Sequence, residues 1–231
     1  LTALLALTLA GAFAAIDAAV SAQAPPLKGE PPYDLAIAGA RIVDGSGNPW
    51  YRGDVYLVGG TIARIDVGRH GYATRKTIDG RGLILAPGFI DIHTHARRAI
   101  LEIPTGENYA RQGVTTLIEG PDGSSPVPLR AYLEQVQKAT TSVNFGAFIG
   151  QGSIRDRVIG PHDRKATPEE LTKMLELTRQ GMRDGAFGLS TGLFYVPGTF
   201  TPTEEVTALA KAAGEMGGIH ISHMRQEAQD V

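Results

Sequence analysis

The stretch Ala86-Pro87-Gly88-Phe89-Ile90-Asp91-Ile92-His93-Thr94-His95 decides how the rest of the chain is read. Pro87-Gly88 interrupts the chain just ahead of an apolar run, and that run carries two of the six histidines at its carboxyl end. Along a β-strand, residues i and i+2 project to the same face, so His93 and His95 stand side by side and can chelate one cation from a single strand. A bare His-x-His is weak evidence, because imidazoles also pack in cores and on surfaces. Its place at the end of a strand gives it weight, since parallel α/β barrels keep their chemistry at the carboxyl ends of their strands.

Downstream of this stretch, apolar runs alternate with helical periodicity, the texture of βα units around a parallel sheet. Strands are predicted at Thr115–Glu119, Phe145–Ile149, Ala186–Ser190 and Gly218–His223, with helices over Val127–Ala139, Thr167–Asp184 and Thr203–Gly217. Thr167-Pro168-Glu169-Glu170 and Thr201-Pro202-Thr203-Glu204-Glu205 carry the proline and acids that suit a first helical turn. Upstream, Tyr33–Ile37, Arg41–Val43, Asp54–Val58 and Thr61–Ile65 alternate apolar and polar residues around a Gly59-Gly60 hairpin signal. They predict a small antiparallel, β-sandwich-like domain over 33–86 with a structural role. Five parallel strands do not close an eight-stranded barrel, which usually takes about 250 residues. The segment 87–231 is therefore expected to be the amino-terminal part of such a barrel.

The 231 residues have a hydrophobic fraction of 42% and a formal charge of −2, enough apolar chain for a real core and no basic face for nucleic acid. Cysteine is absent, which excludes disulfides and thiolate ligands, so a metal must be held through nitrogen and oxygen. Residues 1–24 form an Ala/Leu-rich run ending in Ala22-Gln23-Ala24, an A-x-A pattern that reads as a secretory signal, and a Pro-containing linker follows over 25–32. An exported protein, periplasmic or secreted and free of the membrane after cleavage, is the expectation.

Several further segments are specific: Gln112-Gly113-Val114-Thr115-Thr116, Gly150-Gln151-Gly152-Ser153-Ile154-Arg155, Gly188-Leu189-Ser190-Thr191-Gly192-Leu193-Phe194-Tyr195-Val196-Pro197-Gly198 and Ser222-His223-Met224-Arg225. Together with the opening stretch, they resemble the amidohydrolase superfamily and, within it, the D-aminoacylase (N-acyl-D-amino-acid deacylase) family. The resemblance implies a (β/α)8 metal-dependent hydrolase barrel, of which about five βα units are present, joined to a small β domain. It implies one or two Zn²⁺ ions held by His93, His95 and His223. His220 lies three residues from His223, so the two face opposite sides of an extended strand and cannot both point inward. Where the family usually reads Gly-Asn-Cys-Gly, with the cysteine as ligand, this chain reads Gly120-Pro121-Asp122-Gly123. Asp122 takes the ligand position, with Glu119 at the strand end as the alternative; a carboxylate binds Zn²⁺ at about 2.0–2.2 Å. Ala96-Arg97 stands where relatives often carry acids.

The reaction implied is hydrolysis of the amide of an N-acyl-D-amino acid, giving a carboxylate and a D-amino acid, with the general-base aspartate expected beyond Val231. Tyr195, in a loop stiffened by Pro197 and Gly198, is placed to bind substrate or the tetrahedral oxyanion. Arg155 and Arg225 are candidates for holding a substrate carboxylate. Two alternatives stand beside this reading: a cyclic-amide hydrolase of hydantoinase or dihydroorotase type, and a metal-binding remnant without turnover. The first would want a lysine ending a middle strand, and the third and fourth strands offer none.

Overall fold

The computed structural model describes residues 33–228; the signal-like segment (1–24) and the linker (25–32) lie outside the described residues. The chain divides into two compact units between Pro87 and Gly88.

The first unit is one mixed sheet of five strands: β1 (Tyr33–Ile42), β2 (Tyr51–Val58), β3 (Thr61–Asp66), β4 (Thr74–Asp79) and β5 (Ile84–Leu85). The order is β3-β2-β1-β4, with β5 also on β1. The β2–β3 hairpin turns on Gly59 and Gly60, both at positive φ as a primed turn requires. Tyr33, Tyr56 and Tyr72 pack their rings with centroids 4.8–6.0 Å apart. The expected all-antiparallel, sandwich-like domain is corrected here. The described residues form a single sheet, and β4 and β5 pair with β1 in parallel. Strand β4 is exposed along most of its length, so it has no apolar alternation for a sequence reading to find. Two predicted strands merge into β1 because Gly39, at φ 75°, forms a bulge whose N–H donates to the buried Asp54 Oδ1 at 2.7 Å.

The second unit alternates strands and helices. In chain order they are β6 (Phe89–Thr94), α1 (Ala99–Glu102), α2 (Glu107–Ala110), β7 (Val114–Glu119), α3 (Arg130–Ala139), β8 (Asn144–Ala147), β9 (Ile149–Gly150), α4 (Gln151–Val158), α5 (Pro168–Arg183), β10 (Gly188–Gly192), α6 (Thr203–Gly214) and β11 (Ile219–His223). All strand pairs are parallel and between neighbours in the chain, in the orders β6-β7-β8 and β9-β10-β11. The predicted third strand is split at Phe148, whose N–H donates to Glu119 O at 2.9 Å, while Phe187 N–H donates to Ala147 O at 2.9 Å. One half thus serves β7 and the other β10. This is an α/β fold with an open parallel wall, not a closed barrel, among the described residues.

Leu117, Leu129, Ile149, Ile154, Met174, Leu189 and Leu209 form the core between wall and helices. Helix α5 begins at the predicted signal: Thr167 Oγ1 accepts from Glu170 N–H (3.2 Å) and the Glu170 carboxylate accepts from Thr167 N–H (2.8 Å), a full capping box with Pro168 inside the first turn. Helix α4, which opens on Gly150-Gln151-Gly152-Ser153, is not among the helices predicted from the sequence. Those glycines serve close packing: a Cβ on Gly150 would lie 2.5 Å from Gly123 O. No helix of the described residues is long and apolar enough to cross a membrane.

Candidate metal centre

Strand β6 delivers the two histidines as its alternation requires. Between them, Thr94 is buried and its hydroxyl donates to Ile118 O at 3.1 Å, pinning the end of β6 to β7 and turning His93 and His95 to the other face. Their rings lie 5.6 Å apart, and both side chains are more than half exposed.

The third donor comes from the turn after β7. Gly120 and Gly123, at φ 82° and 74°, bend the chain so that Asp122 returns over the strand ends. Asp122 Oδ2 lies 3.2 Å from His95 Nε2 and Oδ1 lies 3.7 Å from His93 Nε2. One donor atom from each residue falls within 4.8 Å of the others, a geometry able to hold a metal ion. Asp122 Oδ1 is buried without a hydrogen-bond partner, which is costly for a carboxylate oxygen. A cation among the three donors removes that cost, and two imidazoles with one carboxylate are a donor set that suits Zn²⁺.

The turn is held from three sides. Gly123 N–H donates to Ser190 Oγ (3.1 Å), and Gly123 O accepts from Ser153 N–H (3.1 Å). Gly192, at the end of β10, is where residue 122 passes overhead: a Cβ there would lie 2.1 Å from Asp122 O. Ser190-Thr191-Gly192 therefore acts as the bed on which the Asp122 turn lies.

Glu119 stands apart from the three-donor cluster. Its buried carboxylate accepts from Arg97 Nε at 3.2 Å through Oε1, and burial pushes its pKa up against the opposing pull of Arg97. His223 is also outside the cluster. His223 Nε2 instead lies 3.0 Å from a Glu227 carboxylate oxygen, and its ring packs 4.8 Å from that of Tyr195. His220 takes the opposite face, with Nε2 3.1 Å from Thr191 Oγ1, and its pKa is lowered by desolvation.

An open cleft of about 560 Å³ adjoins the cluster, lined by His95, Asp122, Ser153, Tyr195 and Pro197 among others. Tyr195 is half exposed on its wall. Arg155 is not available to a substrate, and that expectation is corrected: it is fully buried, donating to Glu205 Oε2 at 2.6 Å and to Arg164 O. Helix α4 turns it inward, away from the cleft. Arg225 donates to the carbonyls of Thr199 and Thr201, beside the Tyr195 loop. Sequence reasoning missed Ser153 and the grip of Arg97, because both act across loops that have no periodicity to read.

The amidohydrolase family model matches residues 76–230. The chain belongs to the amidohydrolase family. It is 34% identical over 224 residues to a D-aminoacylase of Alcaligenes xylosoxydans xylosoxydans, covering 87% of this chain and 46% of that one. An N-acyl-D-glutamate deacylase from Bordetella bronchiseptica, solved with zinc and a phosphonate mimic of the tetrahedral intermediate, superposes with a TM-score of 0.78 at 31% identity, covering 84% of this chain and 46% of its own. A D-aminoacylase with a binuclear metal centre gives a TM-score of 0.78 at 30% identity, with 85% and 46% covered. The chain spans about half the length of the curated relatives it matches.

Proposed function

We propose that the chain contributes metal ligands to an exported zinc-dependent hydrolase that cleaves the amide of an N-acyl-D-amino acid, and that its parallel wall is part of a (β/α)8 barrel. The observation that carries this reading is the convergence of His93, His95 and Asp122 beside an open cleft walled by Tyr195. Likeness to deacylases of N-acyl-D-amino acids supports the substrate class.

The two imidazoles and the Asp122 carboxylate would hold the ion. When bound there, zinc supplies polarisation of an amide carbonyl and lowers the pKa of water to about 7. The chain's own residues do the rest. The bed of Ser190, Gly192 and Ser153 fixes Asp122 before the ion arrives, so little reorganisation is needed on binding. From the cleft wall, the Tyr195 phenol donates a hydrogen bond to the carbonyl oxygen as it gains negative charge. The backbone of that loop is braced by Thr199 N–H donating to Tyr195 O at 2.8 Å.

The deciding experiment measures zinc content and hydrolysis of N-acetyl-D- and N-acetyl-L-amino acids by the full-length protein. Stoichiometric zinc with turnover of the D-series is expected. Stoichiometric zinc without hydrolysis would leave a metal-binding protein, and ring opening of hydantoins in place of linear amides would reassign the substrate.

A further inference from the structure

We infer that Arg97 is a positioning residue of the metal centre, a clamp that ties the turn carrying Asp122 to the strand end carrying His93 and His95. The inference rests on the metal-site reading above. Arg97 is two residues beyond His95, and its guanidinium spans the neighbouring turn. Nε donates to Glu119 Oε1 at 3.2 Å, Nη1 donates to Ser124 Oγ at 3.3 Å, and Nη2 donates to Ser124 O. Glu119 precedes Asp122 by three residues and Ser124 follows it by two, so one side chain brackets the ligand from both sides. The backbone end is fixed as well: Tyr132 on α3 donates its hydroxyl hydrogen to Arg97 O at 2.9 Å.

The chemistry explains why arginine is needed. Holding a carboxylate, a hydroxyl and a carbonyl at once takes several donors in a rigid plane, which guanidinium has and a lysine ammonium on a flexible stem lacks. Next door, Arg98 makes a surface pair with Glu102 one helical turn away and grips no part of the Asp122 turn. The two histidines are exposed, so their distance from Asp122 depends on what joins the two segments. Arg97 is a direct side-chain tie between them.

The test is the zinc dissociation constant of the full chain by competition with a chromogenic chelator, alongside the thermal unfolding of the metal-free protein. Arg97→Ala is expected to weaken zinc by about 10–100-fold, the usual effect of losing a residue that orients ligands. Arg97→Lys keeps a positive charge opposite Glu119, so it is expected to unfold close to the parent while still binding zinc more weakly. Arg98→Ala is expected to match the parent. Asp122→Ala tests the underlying site and is expected to lose zinc. If Asp122→Ala loses zinc while folded Arg97→Lys binds it like the parent, the clamp is wrong. If Asp122→Ala binds zinc like the parent, the metal-site reading itself fails.

Discussion

Two polar assemblies in the second unit use the same kinds of residue to opposite ends. Behind the cleft, Arg155 and Glu205 are both buried and meet at 2.6 Å, with Gln151 Nε2 donating to Glu205 Oε1 at 3.1 Å and to Thr201 Oγ1 at 2.8 Å. Positive and negative charge cancel within the protein, and solvent has no access. At the mouth, Asp122 faces two imidazoles and no arginine or lysine among the described ion pairs. A buried charge that is already paired holds the fold together. A carboxylate left facing two imidazoles at a cleft is a place made for a cation from outside.

That contrast can be broken most severely at Asp122. Asp122→Ala should reduce zinc affinity by more than the roughly 10–100-fold typical of losing a residue behind a ligand, with little loss of stability in metal-free protein; chelator competition and thermal unfolding measure the two halves. At the closed assembly the pattern should invert. Glu205→Ala strands the Arg155 charge and should cost about 3–5 kcal/mol by denaturant unfolding, while the zinc affinity of the remaining folded protein stays near the parent value. A large change in zinc affinity there would show that the two assemblies are one.

Smaller effects sharpen the line between them. Gly192→Ala forces a Cβ against Asp122 O and should cost about 1–3 kcal/mol, with weaker zinc binding because the ligand turn must lift. Thr167→Ala removes the cap of α5 and should cost about 1 kcal/mol and leave zinc binding alone. The smallest is a pH effect at the same helix start. Hydrogen bonds from Arg164 lower the Glu170 pKa from its ordinary 4.5 to about 2. A lowered carboxylate stabilises the fold fully above 4.5 and loses that contribution as pH falls toward 2. The melting-temperature gap between the parent and Glu170→Gln should therefore narrow over that acid range and stay flat above it.

The sequence made the local parts legible where a residue's role depends on its immediate neighbours. The capping box at Thr167, the Gly59-Gly60 turn and the side-by-side histidines of β6 all follow from periodicity and cap chemistry within a few residues. Arg155 was expected at a substrate because nothing in its neighbours shows that helix α4 turns its side chain into the interior, onto Glu205 fifty residues away. Strand β4 was missed because a mostly exposed strand leaves no hydrophobic signal.

By itself, then, the sequence determined that His93 and His95 share one face of a strand and that these 231 residues hold no thiolate ligand, while the resemblance singled out Asp122 with Glu119 as the alternative. The first two follow from the two-residue period of a strand and from composition. Only the tertiary structure decided that Asp122 comes within 3.2 Å of His95 Nε2, that Glu119 goes to Arg97, and that Arg155 is interior. Each of those depends on which strand lies beside which, and on glycines that let backbones approach more closely than any side chain allows.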